Sequence, residues 1–138
     1  MSKGRILIIE DNMDNHELIR FFLERDGYDT FLAMTGSEGV QAAFKQVPDL
    51  ILVDLALPLM DGWDATRHIK ADPKTAHIPI VAVTARTMPL DRSRAMMAGC
   101  DEYIAKPIDF AALLRAVNRL MERAKRGQAL CGIFNPIV

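Results

Sequence analysis

Little in this chain suits thiolate metal sites, disulfide scaffolding or membrane insertion. Its 138 residues include two cysteines, Cys100 and Cys131, far apart and at no metal-like or redox-like spacing. They read as a small core residue and a tail residue, which suits a reducing cytoplasm. No apolar run approaches the ~18 residues needed to span a bilayer. Met1-Ser2-Lys3-Gly4 leads straight into a strand-like run, so no signal peptide is expected. Charge of one sign is also lacking. The formal net charge of −1 gives no broad electrostatic footprint for nucleic acid or a membrane surface. There is no internal repeat and no low-complexity linker. What is present is apolar: 50% of the residues are hydrophobic, enough for the core of one ordinary domain and too many for a disordered chain.

Two kinds of segment alternate along that domain. Short apolar runs stand at Arg5–Glu10, Asp29–Met34, Asp49–Asp54, Pro79–Thr84 and Glu102–Lys106. The first, third and fourth are rich in Ile, Leu and Val with little alternation, as in strands covered on both faces. Helical periodicity lies between them. In the last such segment Phe110, Leu113, Leu114, Val117, Leu120 and Met121 share one face, opposite Arg115, Asn118, Arg119 and Glu122. Thr35-Gly36-Ser37-Glu38 has the form of a capping box, Gly27 stands where the first helix should stop, Pro48 and Pro79 precede strands, and Pro89 suits a first helical turn. Five strands alternating with five helices predict a doubly wound, parallel α/β sheet. The pattern fades after about Lys125.

Ligands of such sheets bind beyond the carboxyl ends of the strands. The first run ends in Glu10-Asp11, the third in Asp54, the fourth in Thr84 and the fifth in Lys106. The second ends without charge, as suits an edge strand. Three carboxylates, a hydroxyl and an ammonium are therefore expected on one rim. Crowded carboxylates repel and need a cation. Hard oxygen donors suit Mg²⁺ better than zinc or copper. One carboxylate could then act as nucleophile toward a phosphoryl group, with Lys106 and Thr84 holding the transferred oxygens.

At these residues the chain resembles a known family. Ile8-Ile9-Glu10-Asp11-Asn12, the run from Asp49 through Asp54 to Pro58-Leu59-Met60-Asp61-Gly62, Val81-Ala82-Val83-Thr84-Ala85 and Tyr103-Ile104-Ala105-Lys106-Pro107 match, in order and spacing, the motifs of bacterial response-regulator receivers. The likeness is strongest to single-domain cell-cycle regulators and to receivers of hybrid kinases. It implies a flavodoxin-like strand order 2-1-3-4-5, a receiver over residues 3–123 and a tail over 124–138. It implies that Asp54 accepts a phosphoryl group from a histidine kinase or a phosphotransfer protein. Mg²⁺ or Mn²⁺ would be held by Asp11, Asp54 and the backbone carbonyl of Ala56, with Glu10 reaching it through water. Thr84 would be the switch hydroxyl, Lys106 the phosphoryl-binding lysine, Tyr103 the switch aromatic, and the bond before Pro107 would be cis. Ala56 and Arg86 occupy the positions that tune the lifetime of the phosphoryl group. The signal would pass to a downstream protein through the face of the fourth helix, fifth strand and fifth helix. Neither nucleic acid nor membrane insertion is implied, and the role is signalling rather than enzymatic turnover. The competing reading is a small phosphatase with an aspartyl-phosphate intermediate, which wants a further acid near the nucleophile; Leu55-Ala56-Leu57 after Asp54 offers none. A flavin module would want a Ser-, Thr- or Gly-rich phosphate loop where Glu10-Asp11 stands.

Several residues also have plain structural uses. Asp54 could cap a loop, Glu10-Asp11 could favour a helix dipole, and Thr84 could simply end a strand. His16, His68 and His77 are expected on the surface. Trp63 is expected to anchor a helix or loop. Met88, Met96 and Met97 read as flexible core filling or as an adaptable docking face. The apolar residues Ile133, Phe134, Ile137 and Val138 fit folding back, disorder or partner binding equally.

Overall fold

The computed structural model describes residues 2–55, 62–84, 93 and 96–133, with the backbone alone at Thr84 and along 125–133. The elements are β1 (Arg5–Ile9), α1 (Met13–Arg25), β2 (Asp29–Ala33), α2 (Gly36–Gln46), β3 (Leu50–Asp54), α3 (Gly62–Ala71), β4 (Ile80–Thr84), β5 (Glu102–Ala105) and a last helix, α5 (Phe110–Ile133). Residues 93 and 96–98, helical and lying before β5, are labelled α4. Every strand pairing is parallel, and the sheet runs β2-β1-β3-β4-β5.

Strand periodicity divides the apolar runs between two cores. Leu7, Ile9, Ile51, Val53, Ile80 and Ala82 face one side, where Ala43 of α2 and Trp63 and Ile69 of α3 cover them. Ile6, Ile8, Leu50, Leu52, Val81 and Val83 face the other, beneath Ile19 and Leu23 of α1 and Leu113, Val117, Leu120 and Met121 of α5. Each fully buried Leu or Ile contributes about 2 kcal/mol, so the three central strands outweigh any cap or surface pair in holding the sheet. Helix ends follow the expected punctuation. Asn12 Oδ1 accepts the N–H of Asn15, and Thr35 Oγ1 accepts that of Glu38. Glu38 reaches back to the N–H of Met34, one residue before the cap. Gly27 takes a φ of +101° after α1, where a side chain would be strained.

One expectation is corrected and one open reading is decided. His16 is buried, not a surface residue, with 5% of its area exposed. It lies with Ile19 and Leu23 at i, i+3, i+7 spacing on the core-facing stripe of α1; His68 and His77 are exposed as expected. Met96 and Met97 do not fill the core: they are 46% and 88% exposed. Asn118, opposite the apolar stripe of α5, also makes tertiary contacts. It is half-buried and bonds Lys3, Asp26 and Tyr28. In addition, α5 passes Arg123 without a break and continues to Ile133. Lys125, Arg126, Gln128, Ala129 and Leu130 are good helix formers, and Gly127 alone does not end the helix.

Candidate functional site

The periodicity that builds the core also aims the site. Ile6 and Ile8 point toward α1 and α5, so Glu10, two residues on, shares that side beyond the end of β1. Leu50 and Leu52 do the same for Asp54 at the end of β3, and Ile104 for Lys106 just past β5. Three strands thus deliver two acids and an amine to one point. Lys106 Nζ lies 2.9 Å from Asp54 Oδ2 and 3.2 Å from Glu10 Oε2. Glu10 Oε1 accepts the N–H of Asn12 at 3.1 Å. Asp11, exposed at the start of the following loop, completes the cluster: one carboxylate oxygen each from Glu10, Asp11 and Asp54 lie within 4.8 Å of one another.

The electrostatics follow from burial. Glu10 is 2% exposed and Asp54 7%. Burial first, then the charge of Asp54, raises the Glu10 carboxyl above the ordinary carboxylate value, against the opposing pull of the Asn12 N–H and Lys106. For Lys106, burial disfavours the charge, but the hydrogen bond and charge of Asp54, followed by Glu10, outweigh it and raise the amine. Among the described residues one ammonium answers two of the three clustered carboxylates, which leaves negative charge in excess among them. No His or Cys among the described residues belongs to the cluster. Hard oxygen donors with a surplus of charge fit Mg²⁺ or Mn²⁺ and do not select zinc or copper.

The other expected positions lie as follows. Thr84 closes β4 on the same rim, paired in register with Ala105 as Asp54 is with Val83. Tyr103, on β5, is half-buried against the α2/α3 side of the core. The Lys106–Pro107 bond is cis. Ala56, Arg86, Met88 and Pro89 lie outside the described residues. Two contributors carried no chemical signal of their own in the sequence. Asn12 supplies its backbone N–H to Glu10. Gly62 starts α3 against the acceptor strand: its N–H donates to the Leu55 carbonyl at 3.1 Å, and a Cβ there would lie 2.4 Å from the Asp54 carbonyl oxygen. A glycine at the head of a helix, just after the acidic strand end, is the signal that could have marked it.

The match to family models decides what kind of protein this is: residues 6–118 fit the response regulator receiver domain. The chain belongs to the response regulator receiver family. Among curated relatives, the polar-differentiation response regulator DivK of Brucella ovis is 38% identical over 112 residues, covering 81% of this chain and 91% of that protein. Among solved structures, the receiver domain of a sensor histidine kinase from Pseudomonas aeruginosa PAO1, with a magnesium ion coordinated in its active-site cleft, is 38% identical. It covers 86% of this receiver chain and 98% of its own, with a TM-score of 0.81. The signal receiver domain of a histidine kinase from Syntrophus aciditrophicus is 36% identical, with a TM-score of 0.81 and coverage of 89% and 93%. The receiver fold and the place in two-component signalling are thereby fixed. Among the described residues no helix is long and apolar enough to cross a membrane.

Proposed function

We propose that this receiver accepts a phosphoryl group on Asp54 from a histidine kinase or a histidine phosphotransfer protein and passes the change to a downstream protein. The observation that carries the reading is the meeting of Glu10, Asp11, Asp54 and Lys106 at one rim of the sheet. An Asp54 carboxylate oxygen attacks phosphorus, forming an acyl phosphate as the bond to the donor imidazole breaks; the imidazole leaves with the electron pair and takes up a proton from solvent. Lys106 already holds Asp54 Oδ2 and is placed to transfer its hydrogen bonds to the phosphoryl oxygens. Asp11 and Asp54, with the Ala56 carbonyl, would hold Mg²⁺, and Glu10 would reach it through water. Bound there, Mg²⁺ would offset negative charge and polarise the phosphoryl oxygens.

Thr84 would bind the phosphoryl group, and Tyr103 would change its burial in response. The resulting population shift would appear on the surface formed by α4, β5 and α5. Support for that surface comes from exposed Met96 and Met97 and from the ion pair between Glu102 on β5 and Arg119 on α5. Signalling, not turnover, is the role. Ala56 and Arg86 would set the rate of phosphoryl loss: replacing either changes the half-life severalfold while the fold is kept.

The test is intact-mass analysis after incubation with acetyl phosphate. Phosphoryl uptake is expected with Mg²⁺, is lost with a chelator, and is lost in Asp54→Ala. Uptake that survives Asp54→Ala, or continued hydrolysis of unrelated phosphate esters, would refute the assignment.

A further inference from the structure

Outside the acidic cluster, Lys70 is, among the described residues, the cation with the most acceptors. It stands in the last turn of α3 with its side chain 21% exposed. Its Nζ donates to the carbonyls of Ala76 at 3.2 Å and Ile78 at 2.7 Å, and to Asp101 Oδ2 at 3.3 Å. The same Asp101 oxygen accepts the N–H of Ile80, the first residue of β4, at 2.8 Å. The Asp101 N–H in turn donates to the Ile80 carbonyl at 2.7 Å.

This lock closes on the end of α4. Gly99, at a φ of +111°, donates its N–H to the Met96 carbonyl. A Cβ at position 99 would lie 2.7 Å from Lys70 Cγ, so the lysine stem runs along the backbone that terminates α4. Cys100 is buried, with its Sγ 3.9 Å from Thr66 Oγ1 of α3. Residues 99, 100 and 101 are therefore all held by α3. The opposite end of that helix rests on the acceptor strand through Gly62. Between the two ends Trp63, Ala65, Thr66 and Ile69 are buried. The Thr66 hydroxyl donates to the Gly62 carbonyl and the Thr75 hydroxyl to the Ile69 carbonyl. A helix packed this closely moves as a unit.

We propose that α3 is a strut joining Asp54 to the Met96–Met97 surface, and that Lys70 and Asp101 are the positioning residues fastening its far end to α4. The strut deepens the phospho-acceptor reading of Asp54 and rests on it. A phosphoryl group at Asp54 adds bulk and charge beside the backbone against which Gly62 sits, and α3 carries any shift of that backbone to the end of α4.

Methionine-methyl NMR on the full chain tests this, with Met96 and Met97 assigned by Met96→Leu and Met97→Leu. Acetyl phosphate and Mg²⁺ are added, and phosphoryl uptake is read by mass in the same samples. In the unmodified chain both methyl signals are expected to shift on uptake. In Lys70→Leu, which keeps the stem and removes the donor, the shift falls below about half while uptake is unchanged. Lys70→Arg restores it, which a purely space-filling role would not require. Uptake without a methyl shift in the unmodified chain, or an undiminished shift in Lys70→Leu, overturns the strut alone. No uptake in the unmodified chain overturns the phospho-acceptor reading and the strut with it. Should Lys70→Leu not fold, Asp101→Asn keeps an oxygen for the Ile80 N–H, removes the charge facing Lys70, and is judged by the same criterion.

Discussion

The two rims of the sheet use the same kinds of residue to opposite effect. On the amino-terminal rim three acids stand shortly before strands and are answered there. Asp26 receives Lys3 and Asn118, Asp49 receives the N–H of Arg5, and Asp101 receives Lys70 and the N–H of Ile80. On the carboxyl-terminal rim Glu10 and Asp54 share Lys106, with Asp11 clustered beside the two acids. Acids on the first rim fix strand beginnings. Acids on the second are crowded together within 4.8 Å, an arrangement that favours a further cation. The comparison separates charge that holds the fold from charge that awaits a ligand.

The largest expected effect breaks the second rim. Lys106→Met leaves Glu10 and Asp54 facing each other while both stay buried, and should cost about 3 kcal/mol in chelator. Mg²⁺ should restore part of that loss, because a cation returns to the place of the ammonium; urea unfolding with and without the ion measures it. Asp101→Ala strips an acceptor from the buried Ile80 N–H and should cost about 2 kcal/mol. Its cost should be the same with and without Mg²⁺.

Glu10→Gln should instead raise stability at neutral pH in chelator. Folding raises the Glu10 carboxyl above its reference of 4.5, so its contribution to stability is complete below that value. The contribution is lost as pH rises through the folded value. Unfolding followed from pH 4 upward should show that decline in the unmodified chain and a flatter curve in the variant. Lys106, also raised, acts with the same sign in a different window. Its contribution is complete below 10.5 and lost as pH rises through its higher folded value. The smallest effect belongs to Asp26→Asn. The Lys3 hydrogen bond lowers the Asp26 carboxyl, so its contribution is present above 3.8 and lost as pH falls through the folded value. The pair is partly exposed, and its loss should cost under about 1 kcal/mol, independent of Mg²⁺.

The second rim was far more legible in the sequence than the first. A strand that must be apolar on both faces announces its end when an acid or a lysine appears, so Glu10, Asp54 and Lys106 stood out against Ile, Leu and Val. The order of the sheet came through the family resemblance, and the uncharged end of β2 agrees with its place at an edge. Residues that look ordinary in one dimension were lost. Lys70 and Asp101 are separated by 31 positions, and nothing in either local sequence announces the other. His16 was misjudged by residue type, although its spacing to Ile19 and Leu23 already placed it on the buried stripe. For Met96 and Met97 apolar character left core filling and a docking face both open, and their places on α4 expose them. The continuation of α5 past Arg123 was missed because the apolar periodicity fades after about Lys125 while the helix goes on.

The difference between the rims is tested most directly by calorimetric titration of Mg²⁺ into the unmodified chain, Asp54→Asn, and the control Asp26→Asn. A single saturable site is expected in the unmodified chain and in Asp26→Asn, with binding weakened at least tenfold in Asp54→Asn, a loss of about 1.4 kcal/mol or more. Equal affinity in all three proteins, or binding weakened by Asp26→Asn instead, would contradict the claim that the carboxyl-terminal rim is the one that awaits a cation.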